Sequence, residues 1–160
     1  MLALFFLGFH SDPSKIGPAQ LIGMLLGLIV TATCIVLGTK ARRAELPANE
    51  HFGYGSALAA GVMITLFASL FGMATNYLYF QVINPGFQDV IIQAEVAKME
   101  DKGMSAQQLE AAENLLRKLM SPAFQAVWGF VIGMIMGTVI SLISAAFLKR
   151  EAHDQPPLVA

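Results

Sequence analysis

Three uncharged stretches, each long enough to cross a lipid bilayer, constrain this chain more than any other feature in it. They run over residues 16–39, 56–80 and 123–148, and none contains Asp, Glu, Lys, Arg or His. At a rise of 1.5 Å per residue each gives a helix of about 36–39 Å, enough for a ~30 Å hydrocarbon core with some tilt. In hydrocarbon the backbone must satisfy its own hydrogen bonds, and no series of short alternating segments is present to close a barrel. The three stretches are therefore read as transmembrane helices. Composition agrees: 56% of the 160 residues are hydrophobic and 13% charged, against about 25% charged in a soluble domain. So few charges cannot cover a water-exposed surface of this size.

The first nine residues, MLALFFLGF, are also apolar but reach about half a span. They carry no Lys or Arg, so a secretory signal peptide is disfavoured. Residues 1–10 are read as a short N-terminal apolar helix, a partial or first membrane helix. The expected fold class is all-α: an integral membrane helical bundle of three full spans plus this segment, in a single membrane domain over residues 1–160.

Lys40, Arg42 and Arg43 close the first full span, and Lys149 and Arg150 follow the last. Three spans bring both clusters to one side, which the positive-inside rule makes cytoplasmic, together with the tail at 149–160. Residues 81–122 then lie outside, which places the chain in a cell membrane, read as a bacterial inner membrane. Tyr77, Tyr79, Phe80 and Trp128 would gather at the outer interface, where amphipathic rings prefer to lie.

Residues 85–120 form an amphipathic helical hairpin by pattern. Asn84-Pro85 is a helix-start signal, and Phe87, Val90, Ile91, Ala94 and Ala97 share one face. Gly103 offers a C-terminal stop, Ser105 with Gln108 a capping box, and Leu109, Ala112, Leu116, Leu119 and Met120 a second stripe. The hairpin is read as a lid on the bundle, with a docking surface as the alternative.

Lipid tails are as apolar as leucine, so membrane helices associate through close backbone approach at small residues. In the last span Gly129, Gly133, Gly137, Ser141 and Ala145 recur every fourth residue. The second offers Ala57, Gly61, Thr65 and Ser69 at the same step, with Gly72 nearby, and the first offers Gly23 and Gly27. These ridges either pack the chain's own helices or leave a face for another copy. Asn76 is the candidate polar contact within the membrane, expected to hydrogen-bond between helices.

Reactive chemistry is absent by pattern. The three histidines are isolated, and no metal-ligand spacing appears, so no catalytic, cofactor or metal site is expected. Cys34, the single cysteine, is read as a packing residue. A net charge of −1 excludes a nucleic-acid interface. The expected partners are the lipid bilayer and further membrane subunits, as a homo-oligomer or a mixed complex. The expected function is that of a non-enzymatic structural or accessory subunit of an envelope complex, with a small oligomeric transporter or channel lined by Thr31, Thr65, Asn76 and Thr138 as the alternative.

The entry FGYGSALAAG at 52–61, the Tyr77/Tyr79 end of that span, INPGF at 83–87, GMSAQQLEAAE, Ser121-Pro122 and the closing SLISAAFLKR occur in a particular order. In that order the chain resembles the domain-of-unknown-function family 4199, small bacterial membrane proteins without an assigned activity. The resemblance spans 52–150 and implies four membrane helices with the third loop outside; the first helix here is shorter than that pattern. It implies no catalytic residues.

Overall fold

A computed structural model describes residues 5–9, 15–47 and 50–150. The chain is all-α. Helix α1 spans Ile16–Ala44 and α2 spans Tyr54–Leu78, continued by one π-helical turn over Tyr79–Ile83. Helices α3 (Phe87–Asp101) and α4 (Ala106–Leu119) form the hairpin, and α5 spans Pro122–Leu148. Among the described residues, α1, α2 with its π turn, and α5 are long and apolar enough to cross a membrane. Phe5 and Phe6 are helical, and the chain turns where Gly8 donates to the Phe5 carbonyl at 2.9 Å. The tail at 151–160, with His153, and His10 lie outside the described residues.

Two element boundaries differ from the sequence expectation. Helix α1 continues five residues past Thr39, because Lys40, Arg42 and Arg43 end the apolar stretch without ending helical propensity. Arg42 then pairs with Glu45 at 2.5 Å. Asn84-Pro85, expected to open α3, instead closes the π turn. The Asn84 N–H donates to the Tyr79 carbonyl at 2.8 Å, and its side-chain amide to the Tyr79 hydroxyl at 3.2 Å. The extra residue of the π turn uses Asn84, so α3 begins two residues after Pro85, at Phe87.

The chain divides into two compact units. The first comprises residues 1–28 and 70–131. Its core is Ile16, Tyr79, Phe80, Phe87, Ile91 and Ala94, with Phe5, Val90 and Met120 packed on it. Tyr79, Phe80 and Phe87 lie with ring centroids 5.8 Å apart in each pair, Tyr79 edge-on to both and Phe80 stacked on Phe87. Tyr79 and Phe80 are thus interior residues, whereas Tyr77 and Trp128 are exposed. Hydropathy could not separate these pairs; the two interior rings are those that lie in the π turn.

In the same unit Gly103 adopts φ +77° after α3. Its N–H donates to the Glu100 carbonyl and that of Met104 to the Met99 carbonyl, a Schellman stop. Ser105 and Gln108 form a reciprocal capping box at the start of α4. On α3 the buried side chains are Phe87, Ile91, Ile92 and Ala94, while Ala97 is exposed. The α4 stripe is half-buried throughout.

The second unit comprises residues 29–69 and 132–160. Phe52, Ala57 and Ala145 form its apolar cluster, with Leu46 and Leu58 against it. Phe52 and Arg150 exchange both backbone hydrogen bonds, at 3.0 and 2.8 Å. The Arg150 guanidinium donates to the Pro47 and Glu50 carbonyls, and Arg43 to the Leu148 carbonyl at the end of α5. Charged groups thus satisfy backbone carbonyls around the loop that enters α2 and at the end of α5.

Candidate functional site

Two features bring the singled-out residues together: a seam of small residues in the second unit and a cavity in the first.

The seam joins α2 and α5. Ala57 shares a cluster with Ala145. A β-carbon at Gly61 would stand 2.6 Å from the Ser141 hydroxyl oxygen, and one at Gly133 2.8 Å from that of Ser69. A β-carbon at Gly137 would collide with the Thr65 side chain. The four pairs step by four along α2 as they step back by four along α5, an antiparallel ladder in which each small residue receives its partner's side chain. Ile35 of α1 also approaches Gly61, and Ile64 closes on Gly38. Three hydroxyls of the seam are satisfied within their own helices. Thr65 Oγ1 donates to the Gly61 carbonyl at 2.9 Å, Ser141 Oγ to that of Gly137 at 2.7 Å, and Ser144 Oγ to that of Ser141 at 3.2 Å. Shape rather than interhelical hydrogen bonding makes this contact.

The other small residues behave differently. Among the described residues nothing stands within 4 Å of a β-carbon placed at Gly27 or Gly72. Cys34 is exposed, so it is not packed as expected from its depth in the span. Gly129 lies near Asn76, whose amide nitrogen would be 3.5 Å from a β-carbon there.

Asn76 and Gly23 belong to the cavity, which holds about 310 Å³. Ile16, Ala19, Phe80, Phe87, Ile91 and Met120 form its apolar wall, and Gln20, Asn76 and Gln125 are its carboxamides. The Gln125 amide nitrogen is occupied, donating to the Leu119 carbonyl at 3.3 Å and meeting Met120 Sδ at 3.0 Å. Asn76 Oδ1 is closed off from solvent and has no donor among the described residues. That replaces the expected interhelical hydrogen bond. An unsatisfied buried carbonyl costs about 1–3 kcal/mol, so an orphan of this kind calls for a partner. Asn76 and Gln125 are visible in the sequence as polar residues within spans. Phe87 was visible too, on the apolar face of α3; Phe80 was not, because it lies in the π turn and periodicity does not reveal that turn.

On the hairpin, Arg117 bonds Glu113 and Asp89, with bonds of 2.9 and 3.1 Å. Hydrogen bonds to Glu113 and then to Asp89 raise its pKa above the ordinary arginine value. These side chains are well exposed and make an ordinary surface ion-pair group. Among the described residues no group of three or more His, Cys, Asp and Glu side chains is placed to hold a metal ion.

No curated protein and no solved structure matches the chain. A family model described as "Protein of unknown function (DUF4199)" matches residues 1–150, extending N-terminally beyond the segment whose motifs carry the resemblance. With the match running from the first apolar segment to Arg150 at the end of the α2–α5 unit, the chain belongs to this family of proteins of unknown function.

Proposed function

We propose that this protein is a non-enzymatic structural or accessory subunit of a bacterial envelope complex, acting through helix packing and through the α3–α4 hairpin. The observation that carries this reading is the unequal use of the apolar helices. Only 6% of the most apolar window of α1 is buried, against 28% of that of α5. The α5 ridge is occupied by α2, whereas Gly27 on α1 and Gly72 on α2 keep open small-residue surfaces. Such notches allow another helix to approach closely, which in hydrocarbon is the main source of helix association. The channel reading loses support at Thr65, whose side chain is buried against Gly137 rather than lining a path.

Orientation belongs to the same proposal. Lys40, Arg42, Arg43, Lys149 and Arg150 all fall in the second unit, where Arg43 bonds the Leu148 carbonyl and Arg150 the Pro47 carbonyl. That supports a shared cytoplasmic side for both clusters, with residues 81–122 extracytoplasmic.

Oxidative cross-linking in native membranes, followed by purification in mild detergent and mass spectrometry, tests the assembly. Cys34 is the single cysteine, exposed on α1, and reports a second copy directly. Dimer through Cys34, or a stoichiometric co-purified membrane protein, supports the reading. A bare monomer without cross-links or companions overturns it.

A further inference from the structure

We propose that the groove between the C-terminal half of α1 and the N-terminal half of α2 holds one zwitterionic phospholipid with a primary-ammonium headgroup. Its phosphate meets Arg42, its ammonium meets Glu50, and an acyl chain lies along Met63 and Ile64. This goes beyond the assembly role and does not depend on it.

The groove lies wholly within the second unit and holds about 680 Å³, inside the ~300–1,000 Å³ span of small-molecule sites. Its walls change character along the helices. Gly38, Ala60, Met63 and Ile64 line the apolar end, where the Ile64 side chain closes on Gly38. Arg42, Glu50, His51 and Ser56 line the polar end. At 1.5 Å per residue Ser56 and Ile64 stand about 12 Å apart along α2, so the charged rim and the apolar floor occupy different depths. A wholly polar ligand would waste the floor, and an alkane would strip water from the rim without replacing it. An amphiphile matches both ends. Phe67, one turn beyond Met63, and Leu37, next to Gly38, are exposed and extend the apolar surface for a chain longer than the groove.

The rim selects the headgroup. Arg42, Glu50, His51 and Ser56 are all exposed, so a ligand can reach them. Arg42 gives one guanidinium nitrogen to Glu45, and its other nitrogens have no hydrogen-bond partner among the described residues. A planar guanidinium can serve a phosphodiester at the same time. Glu50 is held through its backbone, its N–H donating to the Pro47 carbonyl and its carbonyl accepting from Arg150. Its carboxylate has no partner among the described residues. A net-negative headgroup would set like charge against Glu50, and a quaternary ammonium has no N–H to donate to it. A primary ammonium beside a phosphate satisfies Glu50 and Arg42 together.

The test uses the full chain in mild detergent, mixed with a phosphatidylethanolamine that carries a photoreactive diazirine on one acyl chain. After irradiation the labelled residues are mapped by mass spectrometry. Expected is saturable label within residues 37–67. Unlabelled phosphatidylethanolamine should displace it about ten-fold better than phosphatidylcholine or phosphatidylglycerol of the same chains, the ratio one charge-assisted hydrogen bond gives. Glycerophosphoethanolamine, the same headgroup without chains, should not displace it. Glu50→Ala should bring phosphatidylethanolamine down to the level of phosphatidylcholine, whereas Arg42→Gln should weaken both, because both carry the phosphate. Ala59→Trp, at an exposed position on the groove wall, should abolish the saturable label. Far-ultraviolet circular dichroism and protease resistance like those of the parent would show that the variants fold. Equal displacement by phosphatidylcholine, stronger displacement by phosphatidylglycerol, displacement by glycerophosphoethanolamine, or label spread over all apolar helices overturns the proposal, and each is read on the unaltered chain. So does a headgroup preference that survives in folded Glu50→Ala.

Discussion

Gly61 and Ser141 are matched so closely that a single added carbon at Gly61 would stand 2.6 Å from the Ser141 hydroxyl oxygen. The same fit recurs one step away between Gly137 and Thr65 and again between Gly133 and Ser69. Close backbone approach is therefore structural at these positions, and glycine is required for space rather than for its dihedral freedom.

Gly137→Leu should be the most damaging change in the seam, because Thr65 is itself buried and cannot yield. Overpacking of this kind costs about 1–3 kcal/mol, and more where backbones must separate. Thermal unfolding in mild detergent should show a clear loss for Gly137→Leu and Gly133→Leu. Gly27→Leu and Gly72→Leu, where no described residue stands within 4 Å of an added β-carbon, should leave unfolding unchanged. Equal effects at all four positions would remove the ladder as the organising contact.

In the same surfaces lies a contrast between folding and assembly. Gly27→Leu should reduce Cys34 cross-linking or partner recovery at constant monomer stability. Full cross-linking in this variant would argue against α1 as the assembling face.

Phe52 is 1% exposed and also carries the paired backbone bonds to Arg150. Phe52→Ala should cost about 3–5 kcal/mol, the usual range for a buried aromatic truncated to alanine. Arg150→Ala should have a smaller effect, read as faster protease cleavage near residues 47–50, since it frees the Pro47 and Glu50 carbonyls.

The hairpin turn rests on two local devices. Gly103 at φ +77° should lose about 1 kcal/mol on substitution by alanine, because a β-carbon is strained there. Ser105→Ala should lose about 1 kcal/mol through the capping box. Limited proteolysis of the α3–α4 hairpin reads both, and their sum should hold in the double variant only if cap and stop act independently.

Arg117 gives a pH expectation with a definite sign. Its pKa is raised, so whatever it contributes is fully present below the unfolded value and fades only as pH rises beyond it. Arginine loses its proton only at very high pH, so between about pH 7 and about pH 9 hairpin protection should not change through this group. Salt should weaken it instead, because the partners are exposed. A protection curve that falls over this pH range in wild type but not in Arg117→Gln would contradict the assignment.

Much of this architecture could be read from residue order alone. Length without charge specifies a membrane helix, because an unpaired backbone cannot survive in hydrocarbon, and this holds for α1, α2 and α5 wherever they pack. The stop at Gly103 and the cap at Ser105 are equally local, since each depends on residues within one turn. The step of four on α2 and on α5 was visible too, but periodicity is silent about the partner. Only the tertiary structure decided that Gly61 receives Ser141, that Gly137 receives Thr65, and that none among the described residues meets a β-carbon at Gly27. It alone decided that Tyr79 and Phe80 turn inward at the π turn and that the Asn76 oxygen is closed off with no donor among the described residues. Those outcomes depend on contacts between residues far apart in the chain, where a displacement of a few ångströms separates a packed wall from an empty one.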